Sequence, residues 1–219
     1  MNITEILKYL IDLLAVLLLA LGIKGLSKVR SAREANRLAA IAMAFSVVGV
    51  LISASSNIGI SKISLIWILL GTLLGGSIGA VIAKRVPMTA MPETVALFNG
   101  SGGMSSLLVA IGVAIFPIAD GSVDVGGGLV EAISIVVSVF VGSITFSGSI
   151  VAMAKLQGWL STPSWMQSKL RHAVNIAFAS VAVIASFDLL FGGGIGLSLL
   201  VVSSILLGIG VTLPIGGAD

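Results

Sequence analysis

Seven long apolar stretches, each about twenty residues, dominate this chain of 219 residues. A helix needs roughly 20 apolar residues to cross the ~30 Å hydrocarbon core of a bilayer. The stretches lack the alternation of apolar and polar residues that a membrane β-strand requires. The sequence therefore predicts an all-α membrane protein with about seven transmembrane helices. The expected spans are Glu5–Ile23, Leu38–Ile58, Ile63–Ala83, Thr94–Ile118, Leu129–Ala154, Ala173–Phe191 and Gly196–Pro214.

The composition excludes several other classes of protein. Apolar residues make up 57% of the chain and charged residues only 10%, whereas about 25% of a soluble domain is charged. Soluble globular, disordered and disulfide-scaffold proteins are therefore excluded. The chain has no cysteine, which removes thiolate nucleophiles and Cys–zinc sites, and a single histidine argues against a histidine-rich metal site.

The basic residues predict the orientation in the membrane. Ten of the twelve Lys and Arg residues fall in or beside predicted loops one, three and five, and such residues concentrate on the cytoplasmic side. We therefore expect the N-terminus outside and the C-terminus in the cytoplasm. The ten residues are Lys24, Lys28, Arg30, Arg33, Arg37, Lys84, Arg85, Lys155, Lys169 and Arg171.

The predicted loops are all short. None reaches about 20 residues, so residues 1–219 are expected to form a single transmembrane helical domain without a soluble nucleotide-binding domain. The function is then expected to reside within the bilayer or at its two faces.

Small residues on the third span predict close helix packing. Gly71, Gly75 and Gly79 recur every fourth residue and form one smooth helix face, which allows another backbone to approach closely.

The fourth span is unusually polar. Asn99 is followed within eight residues by three glycines and three serines, a composition that weakens a lone helix. Asn99, Gly102, Gly103 and Ser106 share one helical face. The Asn99 amide cannot stay unpaired in hydrocarbon, so either it makes an interhelical hydrogen bond or it lines a pathway.

The fifth span carries hydroxyl groups on one face, among them Ser138 and Thr145. Hydroxyls in a membrane helix either bond to a neighbouring helix or line a hydrated path. His172, at the cytoplasmic end of the sixth span, is either a solvated side chain or a proton acceptor at a channel exit.

These features leave three classes of function open. A transport or proton-conducting module and a structural membrane subunit both fit a glycine-rich helical bundle with polar faces on the fourth and fifth spans. A membrane-embedded enzyme fits less well, because few side chains in the spans could act as acids, bases or nucleophiles.

Four segments together form a recognisable pattern. The first, residues 85–103, reads R-V-P-M-T-A-M-P-E-T-V-A-L-F-N-G-S-G-G, and residues 142–158 read G-S-I-T-F-S-G-S-I-V-A-M-A-K-L-Q-G. Residues 171–175 read R-H-A-V-N, and residues 215–219 read I-G-G-A-D. In this order they resemble the membrane domain of the beta subunit of proton-translocating NAD(P) transhydrogenase.

This resemblance implies a function for the chain. The family couples proton passage across the membrane to hydride transfer between NADH and NADP⁺. NAD(H) and NADP(H) bind to soluble domains, so no cofactor is expected to bind this chain. The implied partners are an alpha-type subunit with its membrane helices, the NADP-binding domain, membrane lipid and a second copy of the assembly, without nucleic acid. The implied location is the inner membrane of a prokaryotic cell, where the chain is part of an oxidoreductase.

The resemblance also implies roles for individual residues. Asn99 falls where the family places a channel-lining His or Asn, and Gly102, Gly103, Ser106, Ser138 and Thr145 are assigned with it to the proton path. Gly142 and Gly148 match the small residues of the helix beside the channel. The residues assigned to coupling with the NADP-binding domain are Glu93, Asp219, Arg85 and His172.

Two departures from the family pattern leave alternatives open. An asparagine at position 99 cannot carry a proton, so a titratable group is expected from the partner subunit. The family continues beyond the position of Asp219 with two further membrane helices and the NADP-binding domain, which implies either a truncated chain or a naturally split subunit. A self-sufficient small transporter or channel and a purely structural subunit remain the alternatives.

Overall fold

The computed structural model describes residues 3–26, 31–57, 61–119, 128–191 and 194–215. They form seven α-helices and two short 3₁₀ turns, Met88–Ala90 and Ser164–Gln167, so the all-helical fold predicted from the sequence is confirmed. The helices, numbered in chain order, are α1 Ile3–Leu26, α2 Ala32–Asn57, α3 Lys62–Arg85, α4 Met91–Ala119, α5 Leu129–Leu156, α6 Leu170–Leu190 and α7 Gly196–Thr212.

Five of these helices, α2 to α6, are long and apolar enough to cross a membrane. At 17 residues, α7 is shorter, so the span predicted for it remains a prediction. The span predicted for α1 also remains a prediction. The helix α2 begins at Ala32 and α6 at Leu170, ahead of the predicted spans. Arg33, Glu34 and Arg171 lie in these additional turns, because polar residues with good helix propensity continue a helix beyond its apolar part.

The chain divides into two compact units, residues 1–83 and residues 84–219. In the first unit, α1 packs against α2 through small residues. A Cβ atom built on Gly25 would lie 2.7 Å from Cβ of Ala35, and Ala15, Ala35 and Ala42 are buried. Small side chains therefore let these two helices approach closely. The single domain expected from the sequence remains a prediction.

The glycine face of α3 is open in the part of the chain that the structure describes. No residue of α3 is buried, and a Cβ atom on Gly71, Gly75 or Gly79 would meet no described atom within 4 Å. The packing predicted for this face stays a prediction.

In the second unit, α5 packs against both α4 and α7, and α6 packs against α7. All four helices contribute to one apolar core, in which the residues from α4 and α6 include several alanines that bring the helix backbones together. The buried members of this core are Leu107, Ala110, Ala114, Ile135, Val139, Ala182, Ala185, Leu189 and Leu200.

The C-terminal end of α5 is closed by a glycine that follows the helix. Gly158 has a φ of +73°, a left-handed conformation that glycine adopts without a steric penalty. The Trp159 amide donates to the Ala154 carbonyl (2.8 Å), and the Gly158 amide donates to the Lys155 carbonyl (2.9 Å). This is a Schellman motif, which ends the helix and turns the chain toward Thr162.

Candidate functional site

The glycine- and serine-rich part of the fourth span is helical throughout. The helix α4 runs without interruption from Met91 to Ala119, although its composition disfavours a lone helix. Pro92 lies in its first turn, where the missing amide hydrogen has no intrahelical partner to lose. Two of the glycines face α5: Gly100 and Gly103 are both buried, and a Cβ atom on Gly100 would lie 3.1 Å from Cβ of Ser149. Packing against α5 therefore compensates for the low helix propensity.

The two helices approach most closely at Gly103 and Gly142. A Cβ atom on Gly103 would lie 2.7 Å from the Phe146 nitrogen and 2.8 Å from the Gly142 carbonyl oxygen. A Cβ atom on Gly142 would lie 2.8 Å from the Gly103 carbonyl oxygen and 2.9 Å from the Leu107 nitrogen. Backbone atoms thus occupy the space on both sides, and neither position accommodates a side chain. We call the contact surface of these helices the α4–α5 interface.

On one side of this crossing, an amide joins the two helices. The Nδ2 group of Asn99 donates a hydrogen bond to Oγ of Ser149 at 2.8 Å. Ser149 is buried, whereas Asn99 remains exposed. The interhelical hydrogen bond expected as one alternative for Asn99 is therefore formed. The exposed part of the Asn99 side chain remains available to a further partner. Its role in a proton path stays a prediction.

On the other side of the crossing, hydroxyl groups line an open groove of about 450 Å³. Ser105 and Ser134 donate to carbonyls of their own helices, while Ser106 and Ser138 make no hydrogen bond within the part of the chain that the structure describes. Glu131 lies at the end of this groove nearest the start of α5. The structure thus brings Ser106 and Ser138, predicted from separate helices, into one groove, whose lining is otherwise largely apolar.

Three further predicted residues lie in different environments. The Cβ atom of Thr145 would be 2.9 Å from a Cβ on Gly103, so Thr145 flanks the crossing. Gly102 faces away: a Cβ there would meet no described atom within 4 Å. Gly148 packs against α7, where an added Cβ would lie 2.7 Å from Oγ1 of Thr212.

The residues assigned to coupling are spread over three helix ends. Arg85 is exposed in the last turn of α3, and Glu93 is half-buried in the first turn of α4. His172 lies in the first turn of α6, where its Nε2 accepts a hydrogen bond from Nε of Arg171 at 3.2 Å. Asp219 lies outside the described residues. No hydrogen bond joins any two of the other three in the part of the chain that the structure describes.

Lys155, which the sequence linked only to the orientation in the membrane, holds three segments together. Its ammonium donates to Oγ1 of Thr162 (2.8 Å) and to the carbonyls of Leu213 (2.7 Å) and Ile215 (2.5 Å). These carbonyls follow α7, so Lys155 caps the C-terminus of that helix from the end of α5. A basic residue in the last turn of a helix predicts that it caps its own helix, here α5. It does not predict that Lys155 caps α7.

A second unassigned contact joins α6 to α7. The Nδ2 group of Asn175 donates to the carbonyl of Gly210 at 3.1 Å, and a Cβ atom on Gly210 would collide with Oδ1 of Asn175. In the sequence, Asn175 is the last residue of the R-H-A-V-N segment, and no spacing pairs it with Gly210. The glycine leaves the space that the amide occupies.

Comparison with known proteins agrees with the resemblance. The family model described as NAD(P) transhydrogenase beta subunit matches residues 8–219. Two relatives named NAD(P) transhydrogenase subunit beta, one from Rhodospirillum rubrum and one from a defined strain of that species, are each 40% identical over 153 residues. The matched region covers 68% of this chain but only 31% of each relative, so the chain spans about a third of their length. The chain, with its α4–α5 interface of Asn99, Gly103 and Gly142, belongs to the NAD(P) transhydrogenase beta subunit family.

Proposed function

We propose that this chain forms the membrane-embedded, proton-translocating part of a NAD(P) transhydrogenase. In this proposal, proton passage along the α4–α5 interface is coupled to hydride transfer between NADH and NADP⁺ in soluble domains outside residues 1–219. An alpha-type subunit supplies the remaining membrane helices, and the assembly is a dimer in a prokaryotic inner membrane. Family membership and the five long apolar helices support this proposal.

One observation carries the proposal: polar groups follow the α4–α5 interface along almost the thickness of a bilayer. From Glu131 to Ser149, α5 rises about 27 Å at 1.5 Å per residue. The hydrocarbon core is about 30 Å thick. Ser138 and Thr145 lie between these two ends, and Asn99 and Ser106 face the same interface from α4.

The polar line is interrupted at the helix crossing. Between Ser138 and Thr145, the backbones at Gly103 and Gly142 approach so closely that neither position accommodates a side chain. An interruption of about 10 Å along α5 separates the two polar ends. None of the side chains at the crossing can titrate, so this proposal requires a proton carrier from another helix. We assign that group to the alpha-type partner.

Replacing Asn99 with leucine tests the path. After reassembly with the partner subunits in proteoliposomes, we expect Asn99→Leu to lower proton-coupled NADPH formation and proton uptake by roughly tenfold or more, because an apolar side chain cannot order water there. Ser149→Ala is the matched variant, since it removes the same interhelical hydrogen bond but retains the amide. It should keep most of the activity.

Equal losses for Asn99→Leu and Ser149→Ala would show that the amide only joins two helices. Unchanged proton uptake in Asn99→Leu would exclude Asn99 from the path. Purified chain alone in liposomes should conduct no protons above empty liposomes. Conduction by the chain alone would favour the self-sufficient channel instead.

The proposed orientation has an independent test, because the chain contains no cysteine. Ser61→Cys lies before α3 and Lys84→Cys at its end, and both side chains are exposed. If loop two is outside and loop three is cytoplasmic, a membrane-impermeant maleimide applied to intact cells should label only Ser61→Cys. The reverse labelling would invert the orientation.

A further inference from the structure

A second concave surface lies between α6 and α7, apart from the α4–α5 interface. This α6–α7 groove has a volume of about 600 Å³ and opens along the surface of the second unit. Arg171, in the first turn of α6, and Ile215, just past the end of α7, line one end of the groove. The lining residues are Arg171, His172, Asn175, Ile176, Ala179, Leu207, Val211, Pro214 and Ile215.

The charged end of the groove is cationic. Arg171 and His172 are the two ionisable residues among the described residues that line the groove, and none of those lining residues is a carboxylate. The Nε group of Arg171 donates to Nε2 of His172 at 3.2 Å, which fixes the plane of the guanidinium. An arginine side chain carries five N–H donors, so its terminal nitrogens stay available for a bidentate contact to a phosphate.

The remainder of the groove is apolar. From Arg171 to Ala179, α6 rises about 12 Å. The facing side of the groove runs from Leu207 in α7 to Ile215, just past the end of that helix. Ile176 is 65% exposed and Ile215 63% exposed. Apolar side chains exposed in this way next to a fixed cation form a surface that is polar at one end and apolar along its length.

The two parts of the groove favour a lipid as its occupant. An anionic phospholipid places a phosphate directly beside its acyl chains. The Arg171 end and the apolar lining of the groove match these two parts.

We propose that the α6–α7 groove binds an anionic phospholipid. The phosphate contacts the Arg171 guanidinium, with His172 beside it, and an acyl chain lies along Ile176, Ala179 and Val211. Basic pockets between membrane helices bind anionic headgroups in this way. This site does not depend on the proposed proton path, because it involves different helices and no residue of the α4–α5 interface.

Native mass spectrometry of the purified chain in detergent tests the site. Phosphatidylglycerol and phosphatidylcholine with identical acyl chains are added separately, and the lipid retained per chain is measured. We expect the chain to retain phosphatidylglycerol roughly tenfold more than phosphatidylcholine, from the charge-assisted contact to Arg171. Arg171→Gln should abolish this preference, and Ala179→Phe should lower the retention of both lipids by filling the apolar part.

Lys169→Gln is the matched control. It removes an equal positive charge two residues before Arg171, and the Lys169 side chain does not line the groove. It should leave the preference intact. Equal losses for Lys169→Gln and Arg171→Gln, or equal retention of the two lipids, would overturn the proposal. So would displacement of phosphatidylglycerol by inorganic phosphate, which would indicate a free-anion site. Loss of the bound lipid on assembly with the partner subunits would identify the groove as a protein interface instead.

Discussion

Gly103→Leu is expected to separate α4 from α5 and to destabilise the isolated chain by more than about 3 kcal/mol. The first atom of the new side chain would already lie 2.7 Å from the Phe146 nitrogen and 2.8 Å from the Gly142 carbonyl oxygen. Both are backbone atoms, so neither can rotate away as a side chain could. The measurement is the unfolding midpoint of the purified chain in detergent, followed by circular dichroism and by proteolysis.

Gly102→Leu is the matched control for this prediction. It introduces the same side chain one position earlier, where an added Cβ meets no described atom within 4 Å. The intrinsic helix propensity changes equally at both positions, by about 1 kcal/mol in favour of the helix. Gly102→Leu should therefore leave the midpoint unchanged or raise it. Equal midpoints for the two variants would mean that α4 and α5 do not cross at Gly103.

Lys155→Met should release the C-terminal end of α7 while leaving the rest of the second unit folded. The ammonium uses all three of its donors on Thr162, Leu213 and Ile215, and methionine retains the apolar stem without them. Losing a charged donor from a half-buried position costs about 2 kcal/mol. Hydrogen exchange at the Leu213 and Ile215 amides should then accelerate by roughly 30-fold.

Lys84→Met provides the comparison, because it removes an exposed lysine at the end of α3. Exchange at Leu213 and Ile215 should not change in that variant. Lys155→Arg should restore only part of the protection, since a planar guanidinium does not match the position of three acceptors around an ammonium. If Lys155→Met left both amides as protected as before, the cap on α7 would not contribute to stability.

Hydropathy alone determined how many helices form and where they lie along the chain. The backbone N–H and C=O groups of a long apolar run cannot stay without hydrogen bonds in lipid, so such a run forms a helix. The helices α3 and α5 match their predicted spans closely. Helical periodicity also placed Asn99, Gly103 and Ser106 on one face, and all three meet the α4–α5 interface. Gly102 was placed on the same face, but an added Cβ there would meet no described atom within 4 Å, so its role stays a prediction.

The pairing of helix faces was decided only by the tertiary structure. In α7, apolar residues surround the helix on every side, so hydropathy gives no direction to its packing. The contact of Gly148 with Thr212, the bond from Asn175 to Gly210 and the Lys155 cap each join residues distant in sequence. Their partners follow from which backbones approach closely enough for small residues to fit together. Shape complementarity of this kind is a property of two surfaces together, and the sequence of one helix does not contain it.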